Sequence, residues 1–148
     1  MSTVDEILDF AIGEEEKAAQ FYTDLAAKVD KAWMKDIFKG FAKEEMGHKA
    51  KLLGVKEGKL LISATTEVTD LKIAEYLVDA EPTADIDYQD ALILAMKEEK
   101  AAFKLYTDIA ASSDDEMVKG TFLALAQEEA KHKLRFEVEY DQYVLTDN

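Results

Sequence analysis

An internal duplication constrains this chain more than any other feature. Laid over one another without gaps, residues 11–53 and 95–137 agree at 17 of 43 positions, at a constant offset of 84. The shared residues include Glu14/Glu98, Glu15/Glu99, Ala18/Ala102, Tyr22/Tyr106, Phe38/Phe122 and Lys49/Lys133. Each copy carries a related motif, Glu44-Glu45-Met46-Gly47-His48 in the first and Glu128-Glu129-Ala130-Lys131-His132 in the second. Two copies are too few for a solenoid, which needs three or more stacked units. The expected unit is a doubled helical hairpin.

His48 and His132 are the only histidines in the protein. Positions three apart on a helix share a face, so each Glu-x-x-His sets a carboxylate oxygen beside an imidazole nitrogen, a metal-ligand pair. A lone motif of this kind on an acidic helix is ordinarily a solvated ion pair. Its duplication points instead to a shared metal centre.

A chain of 148 residues predicts one domain, residues 1–148, with room for a sizeable core. Six glycines against one proline favour long regular elements. A net charge of -14 argues against nucleic acid or an anionic membrane surface as partner. The absence of cysteine excludes disulfides, thiolate catalysis and iron held by four thiolates, so any metal must be held by oxygen and imidazole. The N-terminal stretch lacks a signal peptide's basic segment and apolar core, and no apolar run approaches the length of a membrane span. A cytoplasmic protein with no membrane segment is expected.

The apolar spacing predicts four helices. The first runs from a capping box at Thr3 and Glu6 to about Lys28, with Val4, Ile7, Leu8, Ala11, Ile12, Ala18, Tyr22, Leu25, Ala26 and Val29 inward. Glu15 falls inside that stripe, and a carboxylate aimed at a core is costly unless paired or metal-bound. Asp30 is the expected cap of a second helix over about 32–57, with Glu45 and His48 in line with Met34, Phe38, Phe41 and Leu52. Gly47 costs that helix about 1 kcal/mol relative to Ala; close packing by a neighbour is one reason for it. A third helix, about 87–111, places Glu99 among Ala95, Ala102 and Tyr106. A fourth, about 115–143 and capped by Ser113 or Asp114, aligns Glu129 and His132 with Val118, Phe122, Leu125 and Phe136.

Residues 58–86 break the pattern: an apolar run at Lys59–Ile62, three threonines to 69, about two helical turns at Leu71–Val78, then Pro82 and Asp85. The segment is long enough to travel the length of a bundle, which makes helices two and three parallel and the architecture an all-α, ferritin-like four-helix bundle. A linker between two independent hairpins is the alternative, but one hairpin hardly buries its own apolar face.

Six residues thus converge as candidate ligands: Glu15, Glu45, His48, Glu99, Glu129 and His132. Two carboxylates can bridge a pair of cations while each Glu-x-x-His completes one side. Oxygen and imidazole ligation suits Fe or Mn, with Zn tolerated. Glu44 and Glu128, one turn before each histidine, are candidates to accept its second ring N–H. Tyr22 and Tyr106, two turns after Glu15 and Glu99, are placed to hydrogen-bond a ligand carboxylate.

The pattern of Glu15 with Ala18 and Phe21-Tyr22, Glu45 with His48, Glu99 with Ala102 and Leu105-Tyr106, and Glu129 with His132 resembles the rubrerythrin-like branch of the ferritin-like di-iron carboxylate proteins, over about residues 3–143. The resemblance implies two Fe ions on those six residues and reaction with peroxide or dioxygen, fed by an external electron donor. A homodimer is the expected assembly. Two departures stand out. There are no cysteines for a rubredoxin domain, and Ala102 occupies a position where rubrerythrins carry an additional Glu that the resemblance ties to peroxide preference. The alternatives are an iron-handling, ferroxidase-type protein without sustained turnover, and a metal-stabilised helical scaffold.

Overall fold

The computed structural model describes residues 2–57, 67–68, 82–83 and 86–145. Helix α1 (Val4–Lys28) turns through residues 29–31 into α2 (Ala32–Glu57), and α3 (Tyr88–Ser112) turns through 113–115 into α4 (Glu116–Tyr140). A π-helical turn, Asp141–Leu145, continues α4 where the apolar pattern predicts ordinary helix to 143. Two short strands, β1 (Ser2–Thr3) and β2 (Glu67–Val68), pair antiparallel with Ser2 opposite Val68 and Thr3 opposite Glu67. Thr3, expected in a capping box, therefore sits in a strand just ahead of α1. The apolar run at 59–62, the threonines and the helical turns expected at 71–78 lie outside the described residues.

Two helix starts differ from expectation in a physically simple way, and the start of α3, for which the pattern named no cap, has one. The Asp87 side chain accepts from the Asp90 amide at 2.8 Å and caps α3. Asp115 caps α4, accepting from the Met117 and Val118 amides at 2.9 and 3.0 Å. Such a cap is worth about 1 kcal/mol. Ser113, expected as that cap, instead closes α3, and its hydroxyl accepts from the Asp115 amide at 3.2 Å. Asp30 is one residue too early for α2, because the Lys31 carbonyl takes the first helical bond, from the Lys35 amide at 3.1 Å.

Within each hairpin the helices run antiparallel. Lys56 on Asp9 (2.5 Å) ties one end of α1–α2, and Lys35 Nζ donating to the Ala26 carbonyl (3.1 Å) ties the other. Between hairpins α1 faces α3 and α2 faces α4, also antiparallel: Tyr22 reaches Glu99 while Tyr106 reaches Glu15, and Phe41 stacks on Phe136 with ring centroids 4.1 Å apart. Since α2 and α3 both oppose α1, they are parallel to each other. Lys28 Nζ donates to the Pro82 carbonyl at 2.8 Å, which anchors the chain's return at the end of α1.

The core forms two apolar layers. One gathers Ile7, Leu8, Ala11, Leu52, Ile109, Phe122 and Leu125. The other gathers Leu25, Met34, Phe38, Phe41, Tyr88, Leu92 and Phe136. Each fully buried Leu, Ile or Phe contributes about 1.5–3 kcal/mol, the driving force that holds buried charge in place between the layers. Within the stripe predicted for α1, Ala18 is only half-buried, and Ala19 and Phe21 are buried in addition. A Cβ added at Gly47 would meet nothing within 4 Å, so packing does not require glycine there.

Candidate metal centre

Four glutamates, Glu15, Glu45, Glu99 and Glu129, one from each helix, are each 1% exposed and lie in a single level between the two apolar layers. The helix spacing explains the level: each Glu occupies an inward position of its own apolar stripe, and antiparallel packing brings the middles of all four stripes together. His132 is buried at 3% exposure, and His48 is half-buried.

The ligand atoms form two interlocking groups, each with members within 4.8 Å of one another: Glu15, Glu45, His48 and Glu129, then Glu45, Glu99, Glu129 and His132. Glu45 and Glu129 belong to both. His48 Nδ1 lies 2.8 Å from Glu129 Oε1, 3.6 Å from Glu15 and 3.7 Å from Glu45. His132 Nδ1 lies 3.0 Å from Glu45 and 3.5 Å from Glu99. The imidazole rings are almost parallel, 5.5 Å apart.

All six residues nevertheless keep a buried atom with no hydrogen-bond partner: Glu15 Oε2, Glu45 Oε1, His48 Nδ1, Glu99 Oε2, Glu129 Oε1 and His132 Nδ1. The short N···O separations bring these atoms together around a common centre without hydrogen-bond geometry. Buried polar atoms left this way are rare, because each costs on the order of 1–3 kcal/mol. Divalent cations held here would satisfy them together and offset the four carboxylates. The donor set, oxygen with imidazole, fits such ions.

Electrostatics without an ion tell the same story. Burial, then the neighbouring Glu45, pushes the Glu15 carboxyl well above its ordinary value. Burial, then Glu99, does the same to Glu129. Burial also works against an ionised Glu45, but the Glu15, His132 and His48 side chains packed around it outweigh that and hold its carboxyl below the usual range. Burial disfavours charged imidazoles, yet the surrounding glutamates win, and His48 and His132 are raised to about 10 and about 9. Protons and imidazolium thus hold the cluster together where cations are absent.

Each tyrosine crosses to the other hairpin. Tyr22 donates to Glu99 Oε1 and Tyr106 to Glu15 Oε1. Burial and those carboxylates push both phenols far up, so they remain donors. Glu44 crosses too. It was expected beside His48, its own neighbour along α2, but its Oε2 lies 2.5 Å from Nε2 of His132, because the antiparallel α2–α4 packing sets Glu44 opposite the buried His132. Glu128, expected to orient His132, lies within 4.8 Å of both histidines but ion-pairs with Lys131 at 3.2 Å.

Spacing alone missed two groups. Arg135 bonds Glu44 from Nη1 at 3.3 and 3.4 Å and sits over Phe41, 4.4 Å from the ring centre. Glu98, with Glu14, lines a cleft between α1 and α3 that reaches Glu15, Glu99 and Glu129 past Ala18, Ala101 and Ala102. Burial, followed by Glu14, raises the Glu98 carboxyl to about 7. The duplication at 14/98 was the one signal for it.

An antiparallel four-helix bundle with one inward Glu per helix and two Glu-x-x-His pairs defines a ferritin-like carboxylate protein. Residues 6–140 match the family model described as Rubrerythrin, and the chain belongs to that family. A solved structure titled "Hypothetical Protein Pfu-1136390-001 From Pyrococcus furiosus" is similar at 25% identity and a TM-score of 0.67, covering 94% of this chain and 89% of that one. No curated protein matches the sequence.

Proposed function

We propose that Glu15, Glu45, His48, Glu99, Glu129 and His132 hold two iron ions, and that the protein reduces peroxide or dioxygen with electrons from a separate donor. The observation that carries this reading is the set of six buried, unpartnered ligand atoms meeting at one level. When bound, such an ion pair supplies two adjacent one-electron couples for a two-electron oxidant. Glu45 and Glu129, which belong to both groups, would each serve both ions. Tyr22 and Tyr106 fix the carboxylates of Glu99 and Glu15 by donating to one oxygen and leaving the other for a metal. The cleft beside Ala18 and Ala102 gives a small oxidant a route in.

A second reading, Fe(II) handling by oxidation without sustained turnover, is favoured by the near-identity of the two ligand groups and by Ala102, which supplies no extra ligand. We further propose that both hairpins form one domain, since each supplies partners to the other's carboxylates, and that the chain dimerises. Exposed Leu123, Leu134 and Val138 on α4 support a dimer contact, which sedimentation checks. Among the described residues no helix is long and apolar enough to cross a membrane.

Anaerobic Fe(II) loading, followed separately by peroxide with a reductant and by air, tests the main reading. Catalytic consumption of either oxidant supports the oxidoreductase. A single oxidation per iron pair with no further turnover supports iron handling instead.

A further inference from the structure

The ligand residues repeat between the two halves, but what stands behind the histidines does not. His132 Nε2 meets Glu44 Oε2 at 2.5 Å, which leaves Nδ1 facing the carboxylate centre. Arg135 Nη1 bonds both oxygens of Glu44, and its guanidinium carbon sits over the Phe41 ring, 4.4 Å from the centroid. Phe41 in turn sets its ring against His132, edge to face, with centroids 4.9 Å apart. The four side chains close a loop around one histidine.

At the offset of 84, the counterparts behind His48 are Leu125 for Phe41 and Lys51 for Arg135. Leucine has no ring face to offer, and lysine has no planar guanidinium to sit over one while bonding a carboxylate. Arg135 is the only arginine in the chain. Among the described residues Glu128 makes no ion pair with His48, and its partner is Lys131. Both members of the stack are thus missing from the same side.

We propose that the Arg135–Phe41–Glu44 assembly makes the two metal positions unequal, the one served by His132 and Glu99 being the tighter. The inference rests on the dimetal reading above. Partners behind a ligating histidine fix its tautomer and strengthen it as a donor, and their loss typically lowers metal affinity by about 10–100-fold. Glu44 and Arg135 act here as positioning residues, through His132.

Titration of the metal-free protein with Co(II), followed by calorimetry and visible absorption, tests this without reference to activity. Wild type is expected to bind two ions in separable steps. His132→Ala should remove the stronger step and His48→Ala the weaker. Glu44→Gln should weaken the stronger step by about 10–100-fold and leave the other in place, with Arg135→Ala acting in the same direction and Glu128→Gln sparing the stronger step. Lys51→Arg combined with Leu125→Phe should strengthen the weaker step. Two ions bound with equal affinity in wild type, or both steps shifting alike in Glu44→Gln, would overturn the inference while leaving the dimetal centre standing. Failure of wild type to bind Co(II) would contradict the dimetal reading itself and this inference with it.

Discussion

Tyr22, on the first hairpin, donates its hydroxyl to Glu99 on the second, and Tyr106 returns the bond to Glu15. The two hairpins are therefore joined at their most polar level as well as by their apolar layers. Tyr22→Phe leaves a buried carboxylate oxygen without its donor, a loss of about 1–3 kcal/mol. Urea unfolding of the metal-free protein should show it as a lower midpoint with the slope unchanged.

Gly47 offers the opposite case. Its Cβ position is open, and its helical neighbours Glu45 and His48 point elsewhere. Gly47→Ala should stabilise the protein by about 1 kcal/mol with the metal stoichiometry unaltered. Thermal unfolding checks the first expectation and metal analysis the second.

The pH dependence of the metal-free protein follows from raised values. Unfolded histidine titrates near 6.5, and the folded values are about 10 for His48 and about 9 for His132. The stability from these groups is complete below about 6.5 and is lost as pH rises through about 9–10. Glu15 and Glu129, also raised, act in the same direction from lower pH, since two unit charges about 4 Å apart repel by roughly 4 kcal/mol at an effective dielectric of 20. Glu45 is lowered, and its contribution is lost only as pH falls below the ordinary carboxylate range. Melting temperature should therefore fall between pH 6.5 and 10 without metal, and much less with metal bound. Coincident curves for the two forms would count against the site.

The stripes that carry Glu15, Glu45, Glu99 and Glu129 were legible because a charge repeated inside an apolar period has few explanations. So were the hairpins, since the repeat length covers two helices and a turn. Pairings across the bundle were not. Spacing along one helix makes Glu44 a neighbour of His48, whereas only the antiparallel register of α2 against α4 delivers it to His132. The cap of α4 was displaced for a local reason: Ser113, Asp114 and Asp115 are all good caps, and the choice falls to how α3 ends. Arg135 carried no repeat signal because its counterpart at the offset of 84 is Lys51.

Ala102 lines the cleft with Glu15, Glu45, Glu99 and Glu129. Ala102→Glu places a fifth carboxylate beside one metal position only, and by the family resemblance this should shift reactivity towards peroxide. Stopped-flow oxidation of both loaded proteins by peroxide and by dioxygen should show the rate ratio rising in the variant. An unchanged ratio would mean that this position does not set the choice of oxidant.

Metal content after anaerobic Fe(II) reconstitution and desalting reports whether two ions sit on the doubled set of Glu and His ligands. The wild-type chain should retain two ions, while His48→Ala and His132→Ala should each retain one or fewer with helical content unchanged by circular dichroism. Two ions retained in both variants, or none in the wild type, would rule out this ligand set.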